Sequence, residues 1–87
     1  MHAGTKAILT FLLNKRYIGG KHFPLDKLYT SRTKYLSKNE QKECEVELYN
    51  LIRLGHIIQL KKRTGKGSEW HVSLNPHTIQ EIYEMIT

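Results

Sequence analysis

The chain has 87 residues, with fourteen Lys and Arg against eight Asp and Glu, a formal charge of +6 and a pI near 9.6. Residues 1–87 are therefore expected to form one basic domain with one modest core and no room for a cofactor-sized cleft plus its scaffold. That size argues against an enzyme, a cofactor or a small-molecule substrate, and no apolar run approaches the roughly 18 residues of a membrane span.

The segment Met1–Lys6 lacks the apolar stretch of a signal peptide, and Cys44 is the one cysteine, so no internal disulfide can form. Both features predict a cytoplasmic protein, in the nucleoid or nucleus if it is bound to DNA.

In chain order, Thr5–Arg16 reads as a first helix. Ala7, Ile8, Phe11 and Leu12 recur at helical spacing, Leu9 and Leu13 widen the stripe, and Gly19-Gly20 ends it. Lys21–Phe23 predicts a short extended piece, and Pro24 opens a second helix through Leu25, Leu28 and Tyr29 to about Lys34. Ser37 followed by Glu40 has the spacing of a capping box, so a third helix is predicted to run to Leu54, with Gly55 as its left-handed stop.

Ile57–Arg63 and Glu69–Leu74 alternate like the strands of a hairpin, and Gly65-Lys66-Gly67 fits a three-residue bulged loop. That loop sets Arg63 opposite Glu69, Leu60 opposite Val72 and Ile58 opposite Leu74. One face then collects Ile58, Leu60, Trp70, Val72 and Leu74, and the other Gln59, Lys61, Arg63, Glu69, His71 and Ser73. Asn75-Pro76 begins a last helix with Ile79, Ile82, Tyr83 and Ile86 on one side.

Charge is uneven along this order. Residues 1–36 carry +6, residues 37–55 carry −1, residues 56–75 carry +3 and residues 76–87 carry −2. Two basic stretches on one small domain suit a polyanion such as nucleic acid, although many small basic proteins bind none.

The order helix, short extended piece, helix, helix, hairpin, helix resembles the winged helix-turn-helix superfamily. Leu48, Leu51, Gly55, Ile57 and the hairpin Ile57–Leu74 carry the resemblance, which extends over nearly the whole chain. It implies an α+β winged helix: a three-helix core, a C-terminal β-hairpin wing and a final helix. It also implies a double-stranded DNA-binding protein, a small transcription or replication regulator. The third helix would enter the major groove, and the wing would lie on the backbone or in the minor groove.

A helical wheel gives the third helix a candidate reading face. With Cys44, Leu48, Leu51 and Ile52 turned to the core, the opposite stripe is Asn39, Lys42, Val46, Tyr49, Asn50 and Arg53, with Lys38 nearby. It contains no acid: Glu40 and Glu47 fall toward the core's edge, and Glu43 and Glu45 lie on the flanks. Asn can pair with adenine, Lys or Arg with guanine, Val can meet a thymine methyl, and Tyr suits a phosphate or stacking contact. The competing reading is an ordinary solvated face. In the hairpin, Lys61, Lys62, Arg63 and Lys66 surround the Gly loop and can reach phosphates or a narrow minor groove; the alternative is a charged tip that prevents edge pairing. Lys15, Arg16, Lys21 and His22 are candidates for further backbone contacts.

Trp70 and Tyr83 could be stacking platforms, but Trp70 shares a face with Val72 and Leu74 and is expected in the core. Cys44 is expected to be a buried, inert thiol. His2, His22, His56, His71 and His77 are scattered without metal-ligand spacing, so no metal site is expected. A homodimer through the first and last helices would use Leu9, Leu13, Met85 and Ile86; otherwise these four complete the monomer core. A winged-helix protein–protein adaptor and a binder of structured RNA are the alternative functions.

Overall fold

The computed structural model describes all residues, 1–87, as an α+β domain of four helices and one three-stranded antiparallel sheet. The elements are α1 (Ala3–Asn14), β1 (Phe23–Pro24), α2 (Leu25–Thr33), α3 (Lys38–Arg53), β2 (Ile57–Thr64), β3 (Gly67–Leu74), a 3₁₀ turn (Pro76–Thr78) and α4 (Ile79–Ile86). The strand order is β1-β3-β2, so the last strand is central. No helix is long and apolar enough to cross a membrane.

Helix α1 begins two residues before the expected Thr5, because His2 Nδ1 accepts the Gly4 N–H at 2.9 Å and caps it. It also ends earlier, at Asn14; Arg16 has a positive φ of 57° and turns the chain away. The buried stripe is Gly4, Thr5, Ile8, Leu9, Leu12 and Leu13, while Ala7 is exposed. The expected stripe of Ala7, Ile8, Phe11 and Leu12 is thus rotated toward Leu9 and Leu13: Ile8 and Leu12 are buried, and Leu9 and Leu13 belong to the core.

The third helix follows its local signals. Ser37 Oγ accepts the Glu40 N–H at 3.2 Å, and Glu40 Oε1 accepts the Ser37 N–H at 3.3 Å, completing the capping box. Gly55 takes the left-handed conformation, φ 87°, that stops the helix. Cys44, Leu48 and Leu51 are buried, as the wheel predicts.

The hairpin differs from expectation by one residue. Thr64 pairs with Gly67 across a two-residue turn, Gly65-Lys66, instead of three residues. Each pair shifts accordingly: Ile57 faces Leu74, Gln59 faces Val72, Lys61 faces Trp70, Lys62 faces Glu69 and Arg63 faces Ser68. Arg63 is therefore not opposite Glu69, nor Leu60 opposite Val72, nor Ile58 opposite Leu74. The physical reason is burial. Ile57 follows the Gly55 stop at the foot of α3 and is 2% exposed, whereas Ile58 is 37% exposed. A one-residue slip would turn Ile57 out of the core. His71 through Leu74 are all buried, so the inner end of β3 is covered on both faces and its alternation is lost.

One cluster forms the core: Ile8, Leu9, Leu12, Leu13, Leu28, Leu48, Leu51, Ile57, Val72, Leu74 and Ile82. Met85 and Ile86 of α4 pack against it half-buried. Each fully buried Leu or Ile contributes about 1.5–3 kcal/mol of transfer free energy, so turning Leu9 and Leu13 outward would remove a large share of the domain's stability. Those two residues offer no surface to a second copy.

Candidate nucleic-acid interface

The α3 face stands as a continuous outward surface. Lys38, Asn39, Lys42, Val46, Tyr49, Asn50 and Arg53 are all exposed, Tyr49 to 64%. Two of the four nearby acids are held elsewhere. Glu47 accepts the His2 backbone N–H at 3.0 Å and the Thr5 hydroxyl at 2.6 Å. Glu40 receives the His2 ring N–H: His2 Nδ1 is occupied as an acceptor, so Nε2 is the donor, 3.1 Å from Glu40 Oε2. The hydrogen bonds from His2 and Ser37 hold the Glu40 carboxyl below its usual 4.5. These carboxylates tie the chain start to α3 on the side away from the outward stripe. Glu43 and Glu45 remain exposed on its flanks.

Beside this stripe, an open cleft of about 390 Å³ runs between α2, α3 and β2, lined by Leu25, Asp26, Tyr29, Glu45, Leu48, Tyr49, Ile52 and Gln59. Tyr29 donates its hydroxyl to the Gln41 carbonyl at 2.8 Å. Burial, then the nearby Glu45 charge, push its pKa above the usual 10.0, so it stays neutral at physiological pH.

The hairpin bases are divided by the observed register. Lys61 and Arg63 share one face with Trp70 and Ser68, and Lys61, Arg63, Gly67 and Ser68 line an open hollow of about 450 Å³. Lys62 lies on the reverse face opposite Glu69, and Lys66 is in the turn. Trp70 is not in the core. It lies outward of Val72 and Leu74, is 46% exposed, and carries Lys61 Nζ 5.6 Å from its ring centroid.

The bases after α1 behave less uniformly than expected. Lys15 and Arg16 are exposed. Lys21 donates to the Lys15 carbonyl at 3.1 Å and lies 4.9 Å over the Tyr17 ring. His22 is drawn inward, its Nδ1 2.7 Å from Nδ1 of His71. Glu69 Oε1 is 2.7 Å from His71 Nε2, and a carboxylate only accepts, so His71 donates there through its Nε2–H, while one proton lies between the two Nδ1 atoms of His71 and His22. The five histidines are therefore not all scattered. Two meet across 49 positions of sequence, which no local spacing reveals.

Sequence reasoning also missed a surface on α1. Lys6 and Lys15, with Arg32 of α2, line a shallow acid-free depression in which the Arg32 guanidinium lies 4.6 Å over Phe11. Helical spacing was the available signal, since Lys6 lies four residues before Thr10 and eight before Asn14 on the same side. The two contacts between a basic side chain and a carboxylate, His2–Glu40 and His71–Glu69, both use histidine, so none of the fourteen Lys and Arg is paired with a carboxylate.

Fold and site define a small basic α+β domain with a polar helix face beside a cationic hairpin. Comparison with models of protein families, with curated proteins and with solved structures finds no match.

Proposed function

We propose that this chain is a winged helix-turn-helix domain that binds double-stranded DNA as a small transcription or replication regulator, a binding module rather than a catalyst. The observation that carries the reading is the acid-free, exposed stripe of α3 beside a hairpin whose Lys and Arg have no carboxylate partner in the chain. In this reading α3 enters the major groove. Asn39, Asn50, Lys42 and Arg53 present donors suited to adenine and guanine edges. Lys61, Arg63 and Lys66 lie against phosphates or in the minor groove. Affinity comes mostly from counterion release, and sequence preference from α3.

The test is binding of the full chain to labelled duplex DNA across a salt series, with an RNA duplex in parallel. Affinity should fall steeply with salt, with about 0.9 of log–log slope for each phosphate contacted. Absence of duplex binding at low salt, or binding indifferent to salt, would overturn the reading. Equal or tighter binding of the RNA duplex would reassign it to structured RNA.

A second reading is favoured by the cleft between α2 and α3. Its apolar floor and the acids Asp26 and Glu45 suit a peptide with an apolar anchor and a basic neighbour, the partner expected of a winged-helix adaptor.

A further inference from the structure

Trp70 is the one tryptophan of the chain, and it stands where the helices no longer cover the sheet. Lys61, its cross-strand partner, extends over the ring, and one pair farther out on the same face are Arg63 and Ser68. Glu69 is the only acid between Ile57 and Leu74; it points to the reverse face, where His71 binds it. The half-exposed ring therefore offers aromatic surface, shared with the Lys61 ammonium, on a strip that carries cations and no carboxylate.

We propose that Trp70 is a stacking platform for an unpaired nucleobase next to a duplex, with Lys61 and Arg63 holding the phosphates that flank it. This rests on the nucleic-acid reading above and adds a preference for DNA with an unpaired end or an extruded base. The geometry selects that ligand. A side chain that wedges between stacked base pairs must lead the protrusion. Trp70 does not lead: the pairs Lys62–Glu69, Arg63–Ser68 and Thr64–Gly67 all lie between it and the turn. It sits on a ribbon face behind the turn, so the base has to come to it, and a base inside an intact duplex has both faces covered. An unpaired base has a free face. Stacking on an aromatic ring tolerates any base, so the contact adds affinity for DNA form rather than sequence.

The single tryptophan makes the contact directly readable. The full chain is titrated, by fluorescence and by anisotropy of labelled DNA, with a blunt duplex and with the same duplex carrying a short unpaired overhang. The overhang duplex should quench Trp70 emission and bind on the order of tenfold tighter, the gain expected of one base–aromatic stack. Trp70→Ala should abolish that preference yet bind the blunt duplex as the parent does, and Trp70→Phe should keep part of it. Equal affinity of the parent for the two duplexes, or a preference that survives in Trp70→Ala, overturns the platform while leaving duplex binding intact. Failure to bind either duplex at low salt overturns both readings.

Discussion

At the scale of single residues, the contact between the chain start and α3 has a definite pH signature. Glu40 has a lower carboxyl pKa when folded than its usual 4.5, because His2 and Ser37 hydrogen-bond its charged form. A depressed carboxyl stabilises the fold fully above the unfolded value, and the contribution disappears as pH falls from about 4.5 through the folded value. Thermal melts between pH 6 and pH 2.5 should therefore show a smaller acid loss in Glu40→Gln than in the parent; equal acid losses would mean that the His2 contact does not persist in solution. Gly4 is a second local constraint. A Cβ there would lie 2.9 Å from Cys44 Sγ and 3.0 Å from Leu36 Cδ1. Alanine gains about 1 kcal/mol of helix propensity over glycine, while overpacking costs about 1–3 kcal/mol, so Gly4→Ala should lower stability. Adding Cys44→Ala should recover part of the loss, and strictly additive effects in a denaturant cycle would contradict that contact. Cys44 itself, fully buried, should resist a thiol reagent until denaturant is added.

At the scale of elements, the local signals that bound α3 were legible, whereas the His2 cap of α1 and the features set by packing were not. The capping box of α3 and the Gly55 stop are local hydrogen-bond and backbone requirements, and both ends fall where the sequence puts them. The α3 outward stripe was equally readable, since period 3.6 and the buried Cys44, Leu48 and Leu51 fix the opposite face. Hairpin register was not, because Ile57 competes with Ile58 and Leu60 for the core and only the position of the helices decides. Parity put Trp70 on the face of Val72 and Leu74, but it could not say where the helices stop covering that face. The observed division between elements predicts two kinds of mutant. Arg63→Ala with Lys66→Ala should weaken binding about equally on all duplexes and reduce the salt slope by about 1.8, since each phosphate contact is worth about 0.9. Asn50→Ala or Lys42→Ala should cost roughly 1–3 kcal/mol on a preferred site and much less elsewhere. Glu45→Ala should tighten binding slightly by removing a flanking charge. Hairpin variants that bind duplex DNA like the parent would remove the hairpin from the interface.

At the scale of the whole molecule, the fourteen Lys and Arg side chains repel one another with no carboxylate paired to any of them. The domain measures 37 × 32 × 22 Å. The Debye length is about 30 Å at 0.01 M salt and about 10 Å at 0.1 M. At the lower concentration nearly every cation senses every other across the fold, and at the higher one only near neighbours do. Sodium chloride should therefore raise the melting temperature, with most of the rise between about 0.01 and 0.1 M, where repulsion across the domain is screened. In the proposed DNA-binding reading, the same ions should weaken duplex binding by reducing the gain from counterion release. Salt should thus move stability and DNA affinity in opposite directions, and the stabilisation conferred by a short duplex should be largest in low salt, where the free domain is weakest. A melting temperature that does not change over this range would mean that the cations are compensated in solution, and the electrostatic basis for recruiting a polyanion would be lost with them.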